Sequence, residues 1–146
     1  MIANTMTNPE IQPMPSTESS ISNQRRWAGR IMSGLPALFL LMDGSMKLYK
    51  PRAVVEATVQ MGYPESAIVG LGAALLLSTL LYLLPRTAIL GAILLTGYLG
   101  GAVASQVRVS AVLFNIIFPV LIGALLWGGL WLRDRRLQAL IPVRAQ

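Results

Sequence analysis

Long uncharged runs separated by short basic segments dominate the pattern of hydrophobic and polar positions in this chain. One run, TAILGAILLTGYLGGAVASQV, extends for 21 residues from Thr87 to Val107, between Arg86 and Arg108. An α-helix rises about 1.5 Å per residue, so a helix of this length crosses a hydrocarbon layer of about 30 Å. The run therefore predicts a membrane-spanning helix, and its glycines predict an inner helix of a packed bundle.

Three further apolar runs predict three more spans. Ser66–Leu84 is uncharged, and Val109–Leu132 supplies the last span. The first run is uncharged only from Ile31 to Met42, which is too short to cross. It becomes long enough by continuing through Asp43 and Lys47, provided that neighbouring helices shield these charges from lipid. The predicted fold is an all-α, integral membrane four-helix bundle over residues 25–140, with spans at about 30–49, 66–84, 87–107 and 110–132.

The remaining segments are predicted from local composition. Residues 1–24 are rich in Asn, Ser, Thr and Pro without apolar periodicity, which predicts a disordered cytoplasmic tail with no cleaved signal. Residues 141–146 form a second predicted cytoplasmic tail. Residues 52–63 have an apolar and a polar helical face, which predicts a short amphipathic segment near the membrane surface. Pro36 and Pro119 lie inside predicted spans, where each removes one helical hydrogen bond.

Composition and charge agree with a membrane protein. Only 12% of the residues are charged, against about one quarter in a soluble domain, and the mean hydropathy is +0.60. Of the 12 Lys and Arg residues, eight lie at the span ends nearest the termini and four at the opposite ends. The positive-inside rule then places both termini in the cytoplasm. Because the bases mark span ends and do not form one exposed face, nucleic-acid binding is not expected.

The residue types that are absent exclude several activities. The chain has no Cys and no His, which rules out disulfides, thiolate chemistry and metal binding through imidazole. Its six acidic residues show no metal-ligand spacing. No nucleophile with an adjacent base and no phosphate-binding loop is recognisable. We therefore expect no metal site, no intrinsic cofactor and no catalytic residues.

Asp43 and Lys47 are the most unusual residues of the first span. Four positions apart on a helix, they lie on one face and can pair. Ionisable residues within a span usually face a bundle interior or a watery cavity. With Arg108 and Asn115, which fall in the same half of their helices, they predict a polar ligand-binding pocket that opens outward. The alternative is a purely structural pair, in which Asp43 neutralises Lys47 or Arg108 and locks the bundle.

The third predicted span offers two further expectations. Gly97 and Gly101 form a small-xxx-small pair, which predicts close packing on another helix, with a ligand groove as the alternative. Gln106 and Arg108 are about 200° apart on a continuous helix, so both cannot point into one pocket. Thr96 and Tyr98 lie mid-span, where their hydroxyl groups need a partner on another helix or, alternatively, a quinone carbonyl.

Three stretches of the sequence resemble the DoxX-like family of small bacterial membrane proteins. They are LMDGSMKLYKP (residues 41–51), LLYLLPRTAILGAILLTGYLGGAVASQVRV (80–109) and LLWGGLWLRD (125–134). The resemblance implies a four-helix bundle in the bacterial inner membrane. Relatives are associated with a thiosulfate:quinone oxidoreductase and with membrane complexes that answer oxidative stress. They usually carry His where this chain has Gln106, which can form hydrogen bonds but cannot change its charge near neutral pH.

Two hypotheses of function follow. The first is a non-catalytic accessory or quinone-associated subunit of a redox or stress-related membrane complex, with a redox protein as partner. The second is a binder or carrier of a small apolar or anionic molecule, using Asp43, Lys47, Gln106, Arg108 and Asn115, with oligomerisation needed for transport. A membrane enzyme acting on a lipid-like substrate is a third alternative, for which the acid–base inventory is thin.

Overall fold

The computed structural model describes residues 17–134 and Leu137, and every described segment of regular structure is helical. The prediction of an all-α fold is therefore confirmed. Five helices follow one another in residues 17–134: α1 Thr17–Tyr49, α2 Arg52–Gln60, α3 Ala67–Leu83, α4 Ala88–Arg108 and α5 Leu113–Arg133.

The predicted helix bounds and the observed ones differ mainly at α1. Helices α3 and α4 begin and end within one residue of the predicted spans, and α5 begins three residues late. The delay arises because Ser110, at φ 52°, and its neighbours form the turn that ends α4. Helix α1 begins at Thr17, so residues 17–24 are helical and not a disordered tail. Adding residues to an existing helix is far easier than nucleating one, which allows polar residues to extend it. Residues 1–16 and 141–146 lie outside the described part.

Three of the helices are long and apolar enough to cross a membrane. They are Trp27–Tyr49 within α1, Ala88–Arg108 and Leu113–Arg133. Helix α3 is equally apolar but has 17 residues, which is about 25 Å of helix. Large apolar side chains cover the outer surface, with Leu35 67% and Phe114 68% exposed. Such a surface is unfavourable in water and suits lipid, so the chain is a membrane protein.

The four longer helices pack in a closed ring. Helix α1 lies between α3 and α5, and α4 contacts the same two helices from the other side. The ring has two ends. At the terminal end α1 enters and α5 leaves, whereas at the α2 end α1 is joined through α2 to α3, and α4 turns into α5. The short helix α2 lies at this second end, beside α1.

Tyr82 joins three helices at the terminal end. Its side chain is fully buried, its hydroxyl donates to the Leu126 carbonyl oxygen of α5 (2.8 Å), and it lies 2.9 Å from Ser33 Oγ of α1. The guanidinium of Arg133 lies over the Tyr82 ring, 5.0 Å from its centre. A buried hydroxyl with two partners fixes the relative positions of the helices that hold them. The terminal end is therefore the tightly connected end of the ring.

Glycines allow the helix backbones to approach one another at defined points. Gly44 and Gly72 mark the crossing of α1 and α3, and Gly29 and Gly129 mark that of α1 and α5. Gly91, in the first turn of α4, faces the backbone of Tyr82 at the end of α3, where a Cβ atom would collide with main-chain atoms. Main-chain atoms cannot rotate away, so this contact tolerates no side chain.

Gly91→Ala should therefore destabilise the protein strongly, by about 1–3 kcal/mol or more, because the helix end must move to relieve the overlap. The measurement is the thermal unfolding midpoint of the detergent-solubilised protein. Gly100→Ala is the matched control on the same helix, because Gly100 is exposed with no atom within 4 Å of its Cβ position. An equal midpoint for the two variants would contradict the close approach of α3 and α4.

Candidate functional site

A cavity of about 580 Å³ lies between α1, α3, α4 and α5, in the half of the ring near the α2 end. This volume is within the range of about 300–1,000 Å³ that is typical of small-molecule pockets. This space is referred to as the cavity. It contrasts with the terminal end, where Leu95, Leu126 and Leu130 are fully buried in the core.

Polar side chains line the cavity at the α2 end. Asp43 and Lys47 project from the last turns of α1, Gln106 from the last turn of α4 and Asn115 from the first turn of α5. These helix ends coincide because successive helices run in opposite directions. Four of the five predicted ligand-binding residues thus line one cavity.

Aromatic and aliphatic side chains line the other end of the cavity. The rings of Phe39 and Phe118 meet edge to face, with centres 5.2 Å apart, and Leu99 and Ile122 add aliphatic surface. Along α4 the lining extends from Leu94 to Gln106, which is about 18 Å of helix. The cavity therefore changes from polar to apolar along its length.

Asp43 and Lys47 form the ion pair that their spacing predicts. Lys47 Nζ donates to Asp43 Oδ2 at 2.5 Å, and the two side chains are 14% (Lys47) and 34% (Asp43) exposed. The stem of Lys47 passes Gly72 of α3, where a Cβ atom would come within 2.8 Å of Lys47 Cβ. Glycine at this position thus makes room for the lysine. Asp43 and Lys47 are the only charged residues of the described chain that line the cavity.

Arg108 does not line the cavity, in contrast to the prediction. Helix α4 continues unbroken to this residue, so Arg108 and Gln106 point in different directions, and Gln106 is the one that faces inward. The guanidinium Nη2 donates to the Met61 carbonyl oxygen at 2.7 Å, just after α2. It also lies against Gly62, whose φ of 86° suits glycine and whose lack of a side chain leaves space for the arginine.

Helix α2 and the loop that follows it cover the polar end of the cavity. Thr58, Met61 and Tyr63 contribute to the lining from this side. Tyr63 Oη lies 2.7 Å from Ser105 Oγ of α4, and Ser105 Oγ donates to the Gly101 carbonyl oxygen at 2.8 Å. Together with Arg108, this contact ties the cover to the end of α4. The amphipathic pattern predicted the helix, but a contact between residues 42 positions apart leaves no signal in one sequence.

Gly97 and Gly101 also line the cavity and do not pack on another helix, which differs from the prediction. Apart from the adjacent backbone of α4 itself, no atom lies within 4 Å of either Cβ position. The small-residue pair leaves space in the cavity wall, and the alternative of a ligand groove stays a prediction. For Thr96 the expected helix-to-helix hydrogen bond is confirmed, since Trp127 Nε1 donates to its hydroxyl at 2.8 Å. Tyr98 lines the cavity.

The residue types present and the comparisons with known proteins bear on the chemistry of this site. Within the described residues, no group of three or more His, Cys, Asp and Glu side chains could hold a metal ion. A model of the DoxX-like family matches residues 31–129, a range that contains the whole lining of the cavity. No curated protein and no solved structure matches the chain.

The contact of Arg108 with Met61 predicts that removing the guanidinium loosens the cover. Because the chain has no cysteine, the buried residue Thr58 can be changed to Cys as a single reporter of access. In that background, Arg108→Gln should raise the labelling rate by a water-soluble maleimide severalfold. Arg86→Gln, which removes an exposed charge at the other end of α4, is the control. Equal rates in all three proteins would contradict a cover held by Arg108.

Proposed function

Because the chain belongs to the DoxX-like family, we propose that it is a non-catalytic membrane subunit that holds a small amphipathic molecule in the cavity. A quinone is the leading candidate for this molecule, and a redox or stress-related membrane complex is the expected partner. The single observation that supports the proposal best is the cavity itself, polar at one end and aromatic at the other.

The lining suits a head group that forms hydrogen bonds without carrying charge. Gln106 and Asn115 each present an amide that donates and accepts, and neither side chain forms a hydrogen bond with another residue of the described range 17–134. Pro119 has no amide hydrogen to donate to the main-chain carbonyl oxygen of Asn115. This oxygen is a further hydrogen-bond acceptor on the same side. Quinone carbonyls accept hydrogen bonds, and the Gln106 and Asn115 amides, Lys47 and Tyr98 supply donors around the same space.

The apolar end of the cavity suits the body of such a molecule. The rings of Phe39 and Phe118 and the side chain of Ile122 offer flat and branched apolar surface below the polar groups. A quinone would bring electron transfer that no side chain here supplies. Gln106 can hold its carbonyl but cannot deliver a proton near neutral pH, so this residue supports binding and leaves the redox step to a partner protein.

A binder or carrier of a small apolar or anionic molecule is the second candidate. The aromatic end of the cavity supports an apolar ligand. An anion is less well supported, because Arg108 lies outside the cavity and Lys47 is already paired with Asp43. Transport is also less well supported than binding, since the ring is filled by buried leucines at the terminal end.

The proposed topology is a multi-pass protein of the inner membrane with four spans and both termini in the cytoplasm. Helix α3 is the fourth span in this proposal, because it packs between α1 and α4 in the ring. The excess of basic residues at the terminal end supports the orientation.

Single cysteines on the two sides of α3 test this topology. Glu65 precedes the helix and Arg86 follows it, and both are exposed. In intact cells, Glu65→Cys should react with a membrane-impermeant maleimide, whereas Arg86→Cys should react only after permeabilisation. The four-span proposal fails if both positions are labelled from the same side.

Filling the cavity tests the binding function. Gly101→Leu should project into the cavity and displace the bound molecule, whereas Gly100→Leu, one residue away and outside the lining, should not. Native mass spectrometry after mild detergent extraction from the host membrane records the bound molecules and subunits of each variant.

We expect an adduct in the wild-type protein and in Gly100→Leu that is absent from Gly101→Leu. A quinone adduct or a redox subunit supports the accessory role, while a homo-oligomer with another reproducible small molecule favours the second candidate. An adduct that survives in both variants contradicts binding in the cavity.

A further inference from the structure

The Asp43–Lys47 pair is more than a partly buried ion pair, because both members belong to the wall of the cavity. The carboxylate is the more exposed of the two, and only its Oδ2 atom is engaged by Lys47. Oδ1 therefore remains as an acceptor, and the ammonium group has further N–H donors. One site thus offers a donor and an acceptor side by side with no net charge.

Within the described residues, no other charged side chain of the surrounding helices faces the cavity, so the pair keeps its net charge of zero. From α4, Arg108 is turned toward Met61, and from α5 the facing side chain is the neutral Asn115. Helix α3 contributes Leu71, Ala74 and Ser78, and α2 contributes Thr58. Within residues 17–134, the net charge of the lining is therefore zero and is set by this one pair.

A charged head group gains little in such a cavity. Leaving water costs a charge a large desolvation energy that only an unpaired opposite charge repays. Each member of the pair is already neutralised by the other, so a third charge is attracted by one member and repelled by its neighbour. For an uncharged head with a hydroxyl or carbonyl group this desolvation energy is much smaller, and the pair offers both kinds of hydrogen-bonding partner.

We infer that the Asp43–Lys47 pair is the charge-selecting element of the cavity, which restricts its ligands to uncharged amphipathic molecules with a hydroxyl or carbonyl head. This inference rests on the proposed binding function and adds the class of ligand. Its consequence is that removing one member exposes the charge of the other. Asp43→Asn then converts the cavity into a site for anionic amphiphiles, and Lys47→Gln into a site for cationic ones.

The test uses photoreactive diazirine analogues of dodecanol, dodecanoate and dodecylammonium, which share one apolar body and differ in head charge. Each is added to the full-length protein in nanodiscs, and labelled peptides are identified by mass spectrometry. We expect dodecanol alone to label cavity residues of the wild-type protein. Asp43→Asn should raise labelling by dodecanoate about tenfold, equivalent to about 1.4 kcal/mol. Lys47→Gln should do the same for dodecylammonium.

The charge-swapped variant Asp43→Lys/Lys47→Asp is the control, because it keeps the net charge at zero and should remain selective for dodecanol. If Asp43→Asn or Lys47→Gln does not fold, the wild-type and charge-swapped proteins still test the selectivity for uncharged ligands. Labelling of the cavity by dodecanoate as strongly as by dodecanol in either one overturns the inference. Unchanged labelling patterns in folded single variants overturn it as well. Absence of labelling by all three probes in the wild-type protein refutes the binding function itself.

Discussion

A charged pair inside a long apolar helix is the constraint on which the rest of this structure depends. Asp43 and Lys47 lie within the part of α1 that is long and apolar enough to cross a membrane, where lipid would offer them no partner. The pair is tolerated because the ring of helices turns it inward and because Gly72 lets α3 pass closely beside the lysine stem. The same arrangement gives the cavity its polar end, so a requirement of folding and the chemistry of the site have one origin.

The two ends of the ring differ because their connections differ. At the terminal end, the Tyr82 hydroxyl joins α1, α3 and α5, and buried leucines fill the space between them. At the α2 end, Gly97 and Gly101 leave space where larger side chains would fill it, and the space is closed by a short segment held through hydrogen bonds. Rigidity at one end therefore permits a cavity at the other without loss of the fold.

Much of this could be predicted from one sequence, since lipid imposes simple rules. Uncharged runs and their basic ends located α3 and α4 to within one residue. Helical periodicity placed Asp43 beside Lys47 and separated Gln106 from Arg108. Other features could not be predicted, because they depend on which helix faces which. A pair of glycines one turn apart is compatible both with a tight helix crossing and with a cavity wall. Which of the two forms depends on how closely the neighbouring helix approaches. The contact between Tyr63 and Ser105 likewise exists only once the ring has formed.

The shortness of α3 has a consequence for the membrane around the protein. With 17 residues it is about 6 Å shorter than α4 and α5, which have 21 each. In the proposed four-span topology, this difference is a hydrophobic mismatch confined to one side of the ring, which the bilayer relieves by thinning locally or the protein by tilting. Because α2 and its loop lead directly into α3, the cover of the cavity stands at the site of the mismatch. In that topology, bilayer thickness is a physical variable that bears on the segment covering the cavity.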